Sequence, residues 1–241
     1  MVIFFGWRRR DELAVAGFSY KTSWLAVPGR SVEDVADALN LDHREVLDWA
    51  TGTERAYKYG VYVASPVPGW TLAHGRMHIP AGFDATDPAF PDWLRHLSRQ
   101  LGEVQFFANE RVPDYHAWAR SRDGEILRAY CFIGERGEIP LFLGEPTPDE
   151  TELGKGTRGP NTDWENWSEE ECDAWFATTP SESDVMTMAG RWSVNPTTID
   201  DDAVVAAGVY GLPPSAALAA CDPSAAGHGV AEDHRGRHDV T

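Results

Sequence analysis

Four groups of residues have the side-chain types for a functional site: histidines near acids, grouped carboxylates, a glycine-rich run with two cations, and tryptophans set among acids. His74 and His78 stand four apart, the spacing of a metal-binding pair on a helix, but Gly75 and Pro80 place both on a β-loop with no acid beside them. No metal site is expected there. His116 follows Asp114 by two residues, so an imidazole and a carboxylate on one strand face have the types of a base and its orienting partner, although no nucleophile is marked. Glu135, Glu138 and Glu145 group around two strand patterns, and paired carboxylates perform acid–base or glycosidic chemistry when held at a fixed separation. Acids in turns are more commonly solvated.

The run Gly154-Lys155-Gly156-Thr157-Arg158-Gly159 has the glycines of a phosphate loop, but neither the G-x-x-x-x-G-K-[ST] order nor a preceding apolar strand. It reads as a mobile loop. No G-x-S-x-G elbow, H-E-x-x-H pair or dinucleotide fingerprint occurs, so catalysis has no marked residue and no cofactor is implied. His74, His116, Glu135 and Glu145 are the remaining catalytic candidates, for a hydrolase or transferase with its site between two hairpins. The most unusual stretch is Asp163 to Phe176, which sets Trp164, Trp167 and Trp175 among Asp163, Glu165, Glu169, Glu170, Glu171 and Asp173. Rings framed by charge of one sign suit the recognition of a basic protein, with the rings supplying contact area and the acids steering encounter. In the competing reading the rings pack inward and the acids merely face water.

Charge strengthens the case for a basic partner. The formal net charge is −17, which argues against nucleic acid as a direct ligand because that binding rests on cationic neutralisation of phosphates. From Gly137 to Asp202 there are sixteen acids against Lys155, Arg158 and Arg191, so thirteen of the seventeen excess negatives fall there. The three cysteines, Cys131, Cys172 and Cys221, are far apart and form no C-x-x-C pair, and Cys131 sits in an apolar strand pattern as a core residue. No apolar run approaches the roughly 18 residues of a membrane span, and the first ten residues place apolar before basic, the reverse of a secretory signal. A soluble, cytoplasmic protein is expected, its oligomeric state left open.

The elements that must position these residues are legible from pattern. Ser23 to Val27 reads as a strand ending at Pro28-Gly29, and Ser31 with Asp34 caps a helix carrying Val35, Ala36 and Leu39. Asp42 with Glu45 repeats that pattern and predicts a second helix through Trp49 to about Gly52. Gly60 to Ala64 and Trp70 to His74 form a hairpin, and Pro88 to Leu101 is a helix with Gly102 at its end. Strands follow at Val104–Phe107, Ala117–Arg120, Ile126–Ile133 and Ile139–Leu143, an antiparallel meander with Asp123-Gly124 as its clearest turn. Thr147 with Glu150, Ser168 with Glu171 and Ser181 with Asp184 mark three more helix starts. The expected class is α+β: an antiparallel sheet of hairpins with short helices on it, as one domain over 1–212 and a disordered tail over 213–241.

Trp49, Val61-Tyr62-Val63 with Pro66, Gly69-Trp70-Thr71-Leu72, Ala117-Trp118-Ala119 with Gly124, Arg128-Ala129-Tyr130, Gly134-Glu135-Arg136-Gly137 and Gly144-Glu145-Pro146-Thr147 together resemble a family of uncharacterised bacterial proteins. The resemblance runs from about Trp24 to Trp192. It implies one continuous domain and assigns no functional residue, and the chain is similar in kind to toxin-immunity and accessory proteins. A non-enzymatic acidic protein that sequesters or neutralises a basic protein is therefore the leading expectation. The alternatives are the hydrolase or transferase above and a structural subunit of a larger assembly.

Overall fold

The structure is a computed structural model, and it describes residues 18, 21–76, 79–160, 166–199 and 206–214. Nine strands form one sheet in the order β2-β9-β3-β4-β1-β5-β6-β7-β8, with every neighbouring pair antiparallel. In chain order these are β1 (Thr22–Pro28), β2 (Asp42–Leu47), β3 (Val61–Val67), β4 (Trp70–Gly75), β5 (Glu103–Glu110), β6 (Tyr115–Arg122), β7 (Glu125–Ile133), β8 (Glu138–Leu143) and β9 (Gly208–Leu212). The helices among the described residues are α1 (Val32–Ala38), α2 (Trp49–Lys58), α3 (Phe90–Leu101), α4 (Pro148–Leu153), α5 (Glu169–Phe176) and α6 (Glu182–Trp192). The class is α+β, as expected, and the strands from β5 to β8 form the predicted meander. None of these helices is long and apolar enough to cross a membrane.

Helices cover both faces, which explains why the central strands are continuously apolar rather than alternating with polar residues. On one face α1 and α3 pack Val35, Phe90, Leu94 and Leu97 against Leu25, Phe106, Ala117 and Cys131. On the other, α2, α5 and α6 pack Trp49, Trp175, Val185 and Met188 against Trp24, Phe107, Trp118 and Tyr130. Side-chain period two therefore sorts size as well as polarity. In Ala117-Trp118-Ala119 and Ala129-Tyr130-Cys131 the large ring goes to one face and the small residue to the other.

Register makes that sorting continuous. Tyr210, Tyr62, His74, Trp24, Phe107, Trp118, Tyr130 and Phe142 are successive cross-strand partners, a row of rings running from β9 to β8. On the opposite face the row Gly75, Ser23, Ala108, Ala117 and Cys131 is built of small residues. Both sheet edges are protected against further pairing. The β2 edge is mostly exposed and irregular between Asp42 and Glu45, with His43 at positive φ, and β8 carries an exposed proline, Pro140.

Two expectations fail. Residues 42–47 form the edge strand β2 rather than a helix, because Asp48, not Asp42, is the N-cap, its side chain accepting from the Thr51 N–H. The helix it starts continues past Gly52 to Lys58. The strand β9 was not anticipated, and it inserts between β2 and β3 from the far end of the chain. It ends at Leu212, the expected domain limit, and the expected tail from residue 215 onward lies outside the described residues.

Candidate functional site

The four helix starts written as hydroxyl and acid three apart all form capping boxes, at Ser31/Asp34, Thr147/Glu150, Ser168/Glu171 and Ser181/Asp184. One of those acids serves a second purpose. Glu150 is fully buried, as is Arg128 of β7, and Arg128 Nε donates to Glu150 Oε1 at 2.8 Å and to Oε2 at 3.1 Å. Trp118 Nε1 donates to Oε1 at 2.8 Å and the Thr147 N–H to Oε2 at 2.7 Å. The guanidinium's other donors go to the carbonyls of Leu143, Gly144 and Gly156.

Gly144 and Gly156 both hold positive φ, and a Cβ would come within 2.3 Å of the Leu127 carbonyl in the first and 2.4 Å of the Trp118 ring in the second. The glycine-rich run expected to be mobile is thus an ordered strap: Gly154 caps α4, Gly156 caps Arg128, and Lys155 Nζ donates to the Ala177 carbonyl. With no exposed atom surface to speak of and every carboxylate oxygen occupied, this centre joins α4 to the meander and has no room for a substrate.

The catalytic candidates do not converge. His74 lies under the α2–α6 layer, stacked on Phe18 at 4.3 Å between ring centroids, with neither ring nitrogen partnered; burial pushes its pKa down to about 3. His116 does pair with Asp114, Nε2 to Oδ1 at 2.8 Å, but it is buried three strand positions from His74, roughly 14 Å at 4.8 Å per strand. Glu135 precedes β8 and Glu145 follows it, so the strand separates them by roughly 20 Å, and both are exposed. His78 lies outside the described residues, and among the described residues no three potential ligands gather for a metal.

No family model, curated protein or solved structure matches this chain.

The acidic tryptophan segment is described from residue 166, so Asp163, Trp164 and Glu165 lie outside the described residues. From there on, Trp175 turns inward, fully buried with its ring edge-on to Phe132 at 6.0 Å, which anchors α5 to β7. Glu169, Glu170, Glu171 and Asp173 all face solvent, Phe176 is 47% exposed, and Trp167 is half-buried against Trp175 at 6.3 Å. The two readings of this segment therefore divide it: Trp175 belongs to the core, whereas the acids and Phe176 face outward. Trp167, Glu170, Glu171 and Ala174, with Arg158, line a shallow recess of 340 Å³. Glu171 is already engaged, its carboxylate held below the usual range by the Ser168 N–H and hydroxyl.

The larger surroundings carry the same sign. The described residues from Glu145 to Trp192 contain ten carboxylates against Lys155, Arg158 and Arg191, and Arg191 is already committed to Asp149 and Glu152. The exposed large apolar side chains are Val46, Tyr57, Tyr59, Val112, Leu127 and Phe176; Tyr57 and Tyr59 stand together at the end of α2, and the others lie in different segments.

Proposed function

We propose that this chain is a non-enzymatic binding protein that sequesters or neutralises a basic protein through the outer face of α5, as a toxin-immunity protein does, acting in the cytoplasm. The observation that carries the reading is the exposure of Glu169, Glu170 and Asp173 beside the Trp167 recess, with α5 fixed from beneath by Trp175. A lysine or arginine of the partner would enter the recess, meeting the Trp167 ring and the Glu170 carboxylate together. The free acids around it would raise the rate of encounter and make that rate fall with salt.

The test is the double reversal Glu169→Lys/Glu170→Lys, which leaves the Glu171 cap intact. Tagged wild-type and reversed proteins are used to capture partners from the native cell at low and moderate salt, with captured proteins identified by mass. A stoichiometric basic protein that wild type holds at low salt, releases as salt rises, and that the reversed protein never holds, is the expected result. Capture unaffected by the reversal would overturn the reading.

A further inference from the structure

A second recess lies at the far end of the sheet from α4, on the α1–α3 face, and it owes its existence to the row of small residues. Ser23 of β1 and Ala108 of β5 are register partners there and form its floor, where the same strands carry Trp24 and Phe107 on the opposite face. The walls are Tyr115 and Ile133, and the roof is the segment bearing Ile79 and Phe83. That roof is pinned at two points: the Ala85 N–H donates to the Tyr115 hydroxyl at 3.2 Å, and Phe83 packs edge-on to Trp93 of α3 at 6.1 Å. The recess is open at its rim and has a volume of 180 Å³. A volume of about 150 Å³ is enough for a benzene ring, so this recess, lined also by Thr22 and Asn109, has room for one ring or one branched alkyl chain over Ser23 and Ala108.

The rim is charged with both signs. Arg76 and Glu135 both line it, and each lacks an ion-pair partner among the described residues; Arg76 only rests over the Tyr57 ring at 5.5 Å. The other rim charges are partly answered: Glu110 by Lys21 at 3.8 Å, Arg136 by Glu138 at 3.6 Å, and Asp84 by the Thr86 N–H and hydroxyl. Glu135 is held at the rim by its own N–H, which donates to the Pro113 carbonyl, and by Gly134, where a Cβ would strike the Asp114 side chain. A bare carboxylic acid would meet three carboxylates here, and a bare amine two guanidiniums.

We infer that this recess binds a small zwitterion with an apolar side chain, the size of a single branched-chain or aromatic α-amino acid, with its carboxylate at Arg76, its ammonium at Glu135, and its side chain over Ser23 and Ala108. The site is separate from α5 and independent of the partner-binding reading. It gives the fold a small-molecule input besides a protein surface.

Calorimetric titration of the full chain with leucine, isoleucine, valine, phenylalanine and tyrosine tests it, alongside the matched deaminated acids and decarboxylated amines. At least one amino acid binds more tightly than about 1 mM, and its acid and amine counterparts bind at least tenfold more weakly. Arg76→Gln weakens the amino acid about tenfold and leaves the amine unchanged; Glu135→Gln weakens it similarly and leaves the acid unchanged. Both side chains are at the rim, so the variants keep the fold, checked by an unchanged melting curve. Absence of binding by all five amino acids, equal binding of a truncated counterpart, or indifference to both substitutions would each overturn the assignment.

Discussion

Arg128 and His74 are buried in the same face of the sheet, His74 in the row of rings and Arg128 in the row beside it, yet their surroundings are opposite. Around Arg128, donor after donor finds an acceptor, from the two Glu150 oxygens to three backbone carbonyls. Around His74 neither nitrogen finds anything, and neighbouring Trp24 and Trp49 also keep their ring N–H groups unpartnered. The difference follows from proton chemistry. A guanidinium cannot give up its charge, so its burial requires a carboxylate and a full set of acceptors; an imidazole can lose its proton and remain as a neutral ring stacked on Phe18.

The largest effect should come from breaking the first centre. Glu150→Gln keeps the volume but turns one acceptor into a donor facing Arg128 or Trp118, leaving a buried cation uncompensated. We expect a loss of ~3–5 kcal/mol in urea unfolding. The double change Arg128→Met/Glu150→Leu removes both charges and should recover much of it, since apolar replacements of buried pairs are often neutral. A cost of well under 1 kcal/mol for Glu150→Gln would mean that Glu150 is not the counter-charge its geometry makes it.

A second pair sharpens the comparison within one row of the sheet. Trp118 and Trp24 are both fully buried, but Trp118 donates to Glu150 whereas Trp24 Nε1 has no partner. Replacing either by Phe leaves a comparable gap, so the volume terms largely cancel. Trp118→Phe should cost ~1–3 kcal/mol more than Trp24→Phe, the penalty of removing one donor from a buried carboxylate. Equal losses would assign both residues to packing alone.

What the sequence revealed of this contrast depended on range. Capping boxes span three residues, and the hydroxyl–acid pattern located α1, α4, α5 and α6 from local chemistry. The same pattern misled at Asp42, where an edge strand happens to carry an acid three residues on, and only pairing with β9 reveals the strand. β9 itself was hidden because its partner Tyr62 lies 148 residues upstream of Tyr210 and its five residues include two glycines. The Asp114 and His116 pair was legible from its two-residue spacing, although Asp114 reaches His116 from the turn before β6, where its φ is positive, and Cys131 was legible as core. Arg128 was not, since an arginine in a strand reads as solvent-facing until a carboxylate 22 residues away folds over it. Nor was the rim of the small recess, which Arg76 at the end of β4 and Glu135 in the turn after β7 line together although they are far apart in sequence.

Near neutral pH the smallest effect belongs to His74, and it grows only as pH falls. Its folded pKa is depressed to about 3 by burial, against about 6.5 in an unfolded chain, so between those values the unfolded state binds the extra proton. Stability from this group is therefore complete above about pH 6.5 and is lost as pH falls toward 3, by up to ~1.4 kcal/mol for each pH unit. His74→Phe preserves a ring against Phe18 and removes two unpartnered nitrogens, so at pH 7.5 it should be neutral or slightly stabilising. Titrating carboxylates contribute equally to both proteins, so the difference between wild type and variant isolates the imidazole. Unfolding free energies measured from pH 7.5 to 4.5 should diverge below about 6.5, with the variant the more stable. Parallel curves would mean that His74 gains a proton in the folded state, and that its site is wetter than the Phe18 stack implies.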